Sequence, residues 1–238
     1  MPNPNEGEEL PDFNGRLPVF EAVFQRAVAK KRKDKALVIG ITGIDCSGKT
    51  TFAESLEKYV ISTGHDTQSI RLDDFHNPMA CRYSGEDQAY NYFNKSFNIG
   101  KIVDELLVPI QQKKAFTTRL TLLNLETDKY EIEKEYSINL DTIIIFEGVF
   151  LFRKEFSPYL DFKIFLDISF EECIQRAWKR DSEDFLRRYN NSQEVNKRYE
   201  SKYLPAQRKY LVEYPPGDTA DIIIDNTDWE RPRIIDSP

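Results

Sequence analysis

Short apolar runs alternate along the chain with longer segments in which apolar residues recur at helical spacing. The apolar runs are rich in β-branched residues and predict strands at residues 36–42, 68–72, 141–147, 162–167 and 221–225. The helical spacing predicts helices at residues 49–63, 98–112, 169–180 and 194–212. Because strands and helices alternate, we expect an α/β fold of three layers, with helices on both faces of a mainly parallel sheet.

Two segments depart from this alternation. Residues 1–16 are acidic and rich in Pro, Asn and Gly, which favours a flexible leader. Apolar residues at helical spacing then predict a helix that opens a single domain over residues 17–238. Between residues 116 and 136, apolar and polar positions alternate around a polar centre at 126–129. This second pattern predicts a β-hairpin inserted into the α/β frame.

Composition narrows the class of protein. The net charge of -7 argues against a basic surface that binds nucleic acid. No apolar run is long enough to span a bilayer, and the N-terminus lacks the basic and apolar regions of a signal peptide. The three cysteines form no C-x-x-C pair, which argues against a zinc ribbon and favours a reducing compartment. We expect a cytoplasmic protein that acts on a small molecule, and its oligomeric state, a homo-oligomer included, stays open.

The segment 43-GIDCSGKT-50 has the form G-x-x-x-x-G-K-T and lies between a predicted strand and a predicted helix. Its glycines allow backbone N–H groups to wrap a phosphate, and the positive end of the helix dipole faces the anion. Lys49 would reach the β- and γ-phosphates, and the Thr50 hydroxyl would ligate Mg²⁺. The expected nucleotide contacts are Gly43, Ile44, Asp45, Cys46, Ser47, Gly48, Lys49, Thr50 and Thr51.

Acidic residues follow two other predicted strands. Glu147 ends the run 143-IIIFE-147, and Asp73 and Asp74 follow the strand predicted at 68–72. Since ligands bind at the carboxyl edge of a parallel sheet, we expect all three side chains to open onto the phosphate loop. Carboxylates there suit Mg²⁺ and an attacking hydroxyl, as a kinase needs. A guanine-nucleotide switch is disfavoured, because the sequence has no N-K-x-D base-reading motif.

Several motifs occur in an order that identifies a family. They are 43-GIDCSGKTT-51, 73-DDFH-76, 146-FEGVF-150, 176-RAWKRD-181, 203-YLPAQRKYL-211 and 220-ADIIID-225. In this order the chain resembles the uridine kinase/phosphoribulokinase type of P-loop kinases over roughly residues 36–226. The resemblance implies a P-loop fold with a helical lid, ATP as donor with GTP as the alternative, and Mg²⁺.

The resemblance also implies roles for single residues. Asp73 would be the general base, and Thr50, Asp73 and Glu147 would hold the metal. Arg176 and Arg180 would touch the nucleotide and the transferring phosphoryl group, and their i, i+4 spacing places them on one helix face. The implied catalytic set is Asp73, Lys49, Arg176 and Arg180. Residues 181–202, with Arg187, Arg188 and Arg198, would form the lid.

The acceptor is where the resemblance is weakest. The hairpin segment 121-TLLNLETDK-129 carries neither an aromatic residue nor a histidine, and Lys95 and Asn98 stand where carboxylates are expected. The candidate acceptor contacts are Asp73, Asp74, His76, Arg82, Tyr83 and Asn98. The expected reaction is phosphorylation of the 5′-hydroxyl of uridine or cytidine, in pyrimidine salvage. Two alternatives stay open, namely a kinase for pantothenate, nicotinamide riboside or a sugar phosphate, and a nucleotide-binding regulator without transfer activity.

Overall fold

The computed structural model describes residues 13–188 and 197–235, without the side chains of residues 14 and 180–188. Its strands are β1 Leu37–Gly43, β2 Thr67–Arg71, β3 Ala115–Asn124, β4 Lys129–Asn139, β5 Ile143–Glu147, β6 Phe162–Asp167, β7 Ile222–Asp225 and β8 Arg233–Ile235. Six of them form one sheet in the order β2-β5-β1-β6-β7-β8. All pairs in this sheet are parallel except β7 with β8, an edge strand that the sequence did not predict. The predicted fold class is confirmed.

Helices cover both faces of the sheet. They are α1 Leu17–Val28, α2 Lys49–Ser62, α3 Met79–Arg82, α4 Gln88–Lys95, α5 Ile99–Ile102, α6 Val108–Gln112, α7 Phe170–Arg188, α8 Leu204–Glu213 and α9 Pro216–Thr219. A π-helical turn at Val103–Leu107 joins α5 to α6, and another at Tyr199–Tyr203 leads into α8. The helix predicted at 169–180 continues to Arg188, and the short helices α3, α4 and α9 were not predicted. None of the described helices is both long and apolar enough to cross a membrane.

The two faces of the sheet bury different cores. On one face, α1 and α2 pack through residues such as Phe20 and Phe52, whose rings meet edge to face at 5.2 Å. The other face packs the hairpin, α4 and α8 around residues such as Phe150 and Tyr210. Every residue of β1 is buried, as expected of a central strand with a core on each side.

The predicted hairpin consists of β3 and β4, which pair antiparallel in a separate two-stranded sheet. The two strands extend beyond the predicted segment 116–136, to Ala115 at one end and Asn139 at the other, and the register shifts between Leu122 and Leu123. The side chain of Lys134 in β4 reaches Asp74 across 2.7 Å. The hairpin therefore closes one side of the sheet edge at which β2 ends.

Register fixes the position of the site. Glu147, the last residue of β5, pairs with Ile41 of β1 on one side and with Arg71 of β2 on the other. The phosphate loop follows β1, and the turn that carries Asp73 follows β2. Loop, carboxylate and turn therefore meet at one edge of the sheet, as the alternation of strands and helices predicts.

Candidate active site

The loop between β1 and α2 has the backbone conformation of a phosphate cradle. Cys46 and Gly48 both adopt positive φ angles, 58° and 86°, so the chain turns sharply before α2 begins at Lys49. A Cβ on Gly43 would lie 2.4 Å from Ser47 Oγ and 2.6 Å from the carbonyl of Leu166. This close approach explains why the sequence has glycine at the entrance to the loop.

Lys49 and Thr50 sit where the motif requires them. Lys49 is nearly buried and donates a hydrogen bond of 2.8 Å to the carbonyl of Ile44 within the loop. The Thr50 hydroxyl donates a hydrogen bond of 3.0 Å to Oε1 of Glu147. Burial raises the pKa of Glu147, the charge of Lys49 lowers it, and that of Asp73 raises it, so that the pKa is above its ordinary value.

Asp73 shares a cavity of about 360 Å³ with the cradle. Its walls are Asp45, Cys46, Gly48, Lys49, Thr50, Thr51, Asp73, Tyr92, Glu147, Val149 and Arg176. Asp73 is exposed in the 3-10 turn Leu72–Phe75, and none of the described side chains donates a hydrogen bond to its carboxylate. The structure thus brings Asp73, Glu147, Thr50 and Lys49 to one cavity, although they are far apart in the sequence.

Asp45 ties the loop to two helices that the sequence analysis left without a role in the site. Its carboxylate accepts hydrogen bonds from Tyr92 of α4, at 3.0 Å, and from Nε2 of Gln207 of α8, at 2.6 Å. Its backbone N–H also donates to Oε1 of Gln207 at 3.2 Å. Gln207 is almost fully buried at 1% exposure, so α8 holds the loop with one amide group. Gln207 lies in the motif 203-YLPAQRKYL-211, which the sequence analysis used for the family resemblance without assigning this contact.

Arg176 of α7 reaches the far side of the loop. Its guanidinium donates to the carbonyl oxygens of Cys46 at 3.1 Å, Asn226 at 2.7 Å and Thr227 at 2.9 Å. It also pairs with Glu172 one turn earlier at 2.7 Å. Arg176 therefore holds the loop against the end of β7 while lining the cavity. The side chains of residues 180–188, which include Arg180, Arg187 and Arg188, lie outside the described part of the structure, and so do residues 189–196 of the predicted lid 181–202.

A second cavity of about 190 Å³ opens on the other side of Asp73. Besides Asp73 it is lined by Asp45, His76, Arg82, Tyr83, Tyr92, Ser96, Arg198, Tyr199, Lys202 and Tyr203. The buried ammonium group of Lys202 lies 4.6, 5.0 and 5.4 Å from the ring centres of Tyr83, Tyr203 and Tyr92. Sequence analysis found His76, Arg82 and Tyr83 but not Lys202, because a lysine within a helical segment carries no sign that it will be buried.

The electrostatics of this second cavity follow from its cations. Burial lowers the pKa of Lys202, and the charges of Arg198 and Arg82 lower it further against the opposing effect of Tyr83. Burial alone would raise the pKa of Tyr83, but Lys202, Arg198 and Arg82 together hold it below its ordinary value. Burial also lowers the pKa of His76, whose Nδ1 donates to the carbonyl of Asp73 at 2.6 Å. His76 is therefore neutral, with Nε2 as an acceptor.

The remaining acceptor candidates differ in their surroundings. Asp74 pairs with Lys134 of the hairpin and lines a third cavity, of about 400 Å³, together with Asp73 and the leucines of the hairpin. Asn98 accepts a hydrogen bond of 3.1 Å from the backbone N–H of Lys101 and so caps α5. Asn98 lines none of the three cavities that contain Asp73.

The cradle fits a magnesium ion bound together with a nucleotide. Within the described residues, no group of three or more His, Cys, Asp or Glu side chains could hold a metal ion alone. Mg²⁺ in phosphoryl-transfer enzymes keeps several waters and needs only one or two carboxylates besides the substrate phosphates. Thr50, Glu147 and Asp73 line one cavity and are the residues that would offer oxygen ligands of this kind.

Comparison with known proteins agrees with this geometry. The model of the phosphoribulokinase/uridine kinase family matches residues 38–230. The uridine kinase of Ligilactobacillus salivarius is 25% identical over 194 residues, covering 81% of this chain and 86% of the relative. That of Chlamydia pneumoniae is 27% identical over 195 residues, covering 79% and 81%. The solved structure of a possible uridine kinase from Bacillus stearothermophilus superposes with a TM-score of 0.66 at 23% identity, covering 87% of this chain and 98% of that chain.

Proposed function

The chain belongs to the phosphoribulokinase/uridine kinase family, and from this premise we propose that it phosphorylates the 5′-hydroxyl of a nucleoside, uridine or cytidine, with ATP and Mg²⁺. The curated relatives are kinases, so the coarser assignment to the phosphotransferases follows from the family. Nucleoside specificity is supported by the names of relatives that are about a quarter identical to this chain. GTP is the alternative donor.

The reaction needs little covalent chemistry from the protein. Asp73 accepts the proton of the acceptor hydroxyl as its oxygen attacks the γ-phosphorus, and the bond from that phosphorus to the β–γ bridging oxygen breaks, leaving ADP. Lys49 offsets the negative charge that builds on the phosphoryl oxygens, and Arg176 and Arg180 assist it. Mg²⁺, when bound with the nucleotide, would neutralise further phosphate charge. Residues 181–202 would close over the site and exclude water.

One observation carries this proposal, namely that Asp73 lines both the cradle cavity and the two cavities beyond it. A hydroxyl compound in either outer cavity would lie beside the Asp73 carboxylate, which also lines the cavity of the cradle. The carboxylate is not engaged by any described side chain, so it can accept a proton without breaking an existing contact. A nucleotide sensor has no use for such a group. This argues for a transferase rather than a regulator.

The test is ADP release from ATP and Mg²⁺ in the presence of a panel of alcohols. The panel contains uridine, cytidine, deoxynucleosides, nicotinamide riboside, pantothenate and ribulose 5-phosphate, with Asp73→Asn as the control. Stimulation by uridine or cytidine that is lost in the control would support the proposal. Stimulation only by another alcohol would keep the mechanism and change the acceptor. Slow ATP hydrolysis that no alcohol stimulates would favour the regulator.

A second candidate acceptor is an alcohol that also carries an anionic group, such as a sugar phosphate or pantothenate. The observation that favours it is the cavity that brings Lys202, Arg82 and Arg198 beside Asp73. Lys202 is buried against aromatic rings, and Nε of Arg82 is buried without a hydrogen-bond partner among the described residues. Buried cations of this kind suit a phosphate or carboxylate.

Lys202 separates the two candidates. If the acceptor is anionic, Lys202→Met should raise the KM for the acceptor strongly and change the KM for ATP little. If the acceptor is a neutral nucleoside, the variant should leave the acceptor KM within a few-fold. The exposed Lys58 of α2 offers a matched control, since Lys58→Met removes a lysine of the same charge from the surface.

A further inference from the structure

The loop also borders a cavity on the side away from Asp73. This cavity, of about 270 Å³, is lined by Arg16, Cys46, Gly48, Thr51, Phe52, Glu172, Arg176, Lys179, Asn226 and Trp229. It shares Cys46, Gly48, Thr51 and Arg176 with the cradle cavity but does not contain Asp73. A nucleotide with its terminal phosphate towards Asp73 must leave the cradle at the opposite end. Its ribose and base would therefore enter this cavity.

The outer wall of the cavity is an indole held by an arginine. The guanidinium of Arg16 lies 4.9 Å from the ring centre of Trp229, and its Nε donates to the carbonyl of Trp229 at 2.9 Å. A second nitrogen of Arg16 donates to Oγ of Ser55 in α2 at 2.8 Å. Arg16 is 8% exposed, whereas Trp229 remains 49% exposed. A large aromatic side chain is thus kept partly uncovered at the cavity by a buried cation.

The segment that supplies Arg16 lies outside the family match, which begins at residue 38. This segment is nevertheless fixed against the site. A Cβ on Gly15 would lie 2.8 Å from the side chain of Arg231 and 2.9 Å from the carbonyl of Glu230. The ring of Phe13 also packs on Tyr59 of α2 at 5.7 Å. The N-terminal turn and the segment after β7 therefore form one side of the cavity together.

We propose that Trp229 is a stacking platform for the purine base of the phosphate donor and that Arg16 is the residue that positions it. A flat π-system beside a phosphate site suits a nucleobase, because every base presents a π-face to an aromatic ring. Stacking does not read the edge of the base, so the platform serves ATP and GTP alike. The proposal rests on the donor half of the proposed function and is independent of the acceptor.

The first test uses the fluorescence of Trp229. The chain has two tryptophans, so Trp178→Phe leaves Trp229 as the single reporter. We expect ADP to change its emission, while tripolyphosphate, which fills the cradle without a base, leaves the emission unchanged although calorimetry detects its binding. Equal changes with both ligands would overturn the platform, as would bound ADP without any change.

The second test measures affinity in the otherwise unaltered protein. Trp229→Ala should raise the Kd for ATP by roughly 5- to 150-fold, the range for loss of one base–aromatic stack. Its Kd for tripolyphosphate should not change, and Trp229→Phe should restore most of the ATP affinity. Arg16→Ala should weaken ATP binding less than Trp229→Ala and should increase the mobility of the indole, measured as lower fluorescence anisotropy in the single-tryptophan protein. An unchanged ATP affinity in Trp229→Ala would overturn the inference.

The outcomes separate this inference from the choice of acceptor. Binding of ATP through Trp229 with no stimulation by any alcohol would leave the platform standing and remove the transferase. If the protein phosphorylates an alcohol and Trp229→Ala keeps full affinity for ATP, the transferase stands and the platform is overturned. Failure of ATP to bind at all would overturn the platform together with the donor half of the proposed function.

Discussion

The hydroxyl of Thr50 donates a hydrogen bond of 3.0 Å to Oε1 of Glu147, which ties the first turn of α2 to the last residue of β5. Glu147 is only 3% exposed, and its burial raises its pKa. The buried charge is therefore compensated only in part by Lys49 and Thr50 in the protein without ligands. Such a carboxylate destabilises the folded protein, as residues of functional sites commonly do.

Glu147→Gln should stabilise the protein at neutral pH while lowering its activity. The amide keeps an acceptor for Thr50 but no longer buries a charge, whereas a metal associated with the carboxylate would be held less well. Because the pKa of Glu147 is raised in the folded state, the wild type loses stability as pH rises from the ordinary value of 4.5 through the raised value. Urea denaturation between pH 4 and 8 should therefore show that the free energy of unfolding of Glu147→Gln exceeds that of the wild type by an amount that grows with pH. A difference independent of pH would contradict this account.

Asp73→Asn should reduce turnover by about 10²- to 10⁴-fold, the range for loss of a general base. The Kd for ATP should stay within a few-fold, because Asn keeps the shape of the side chain and none of the described side chains donates a hydrogen bond to the Asp73 carboxylate. Single-turnover kinetics and calorimetry measure the two quantities separately. Asp104→Asn, an exposed substitution of the same kind in the turn between α5 and α6, is the control. Equal rates for the wild type and Asp73→Asn would remove Asp73 from the chemistry.

Gly43→Ala should destabilise the protein by about 1–3 kcal/mol, as overpacking does, and weaken ADP binding. The added methyl group would lie 2.4 Å from Ser47 Oγ and 2.6 Å from the backbone carbonyl of Leu166, so the loop must shift. Gly217→Ala is the matched control, since no atom lies within 4 Å of its added methyl group. Denaturation and ADP titration of both variants test this. Equal behaviour of the two would show that the loop tolerates the displacement.

The fold was accessible from the sequence because its signals are local. Periodicity identified the strands of the parallel sheet except β8, and 43-GIDCSGKT-50 between a strand and a helix placed the cradle. Because parallel strands end at the same edge of the sheet, the position of Glu147 at the end of its strand predicted that it would lie beside the phosphate loop that contains Thr50. The short helices α3 and α4 were missed, because four and eight residues give too little periodicity to detect a helix.

The remaining parts of the site depend on contacts that no local pattern encodes. Gln207 lies 162 positions after Asp45, and Trp229 lies 213 positions after Arg16. Burial of Lys202 depends on three tyrosine rings from two segments of the chain. Each of these contacts is created by the order of strands in the sheet and by the return of α8 to the loop. A residue's type alone cannot indicate them.

Gln207→Leu should test how far α8 controls the loop. The apolar side chain fills a similar space but removes two partners of Asp45, the amide donor at 2.6 Å and the acceptor at 3.2 Å. We expect a loss of about 1–3 kcal/mol of stability, because buried polar groups lose hydrogen bonds, and a higher KM for ATP. Gln112→Leu, at the exposed end of α6, controls for the loss of an amide.

Gln207→Glu separates the role of charge from that of shape. An ionised carboxylate at this position would face the carboxylate of Asp45 at hydrogen-bonding distance, and the repulsion would act on the loop itself. Protonation of one of the two groups restores a donor between them, so the variant should bind ADP more tightly at pH 5 than at pH 8, relative to the wild type. ADP titrations at both pH values measure this. If the ratio of the variant's Kd for ADP to that of the wild type is the same at pH 5 and pH 8, α8 holds the loop by packing, and the hydrogen bond from the Gln207 amide to Asp45 contributes little.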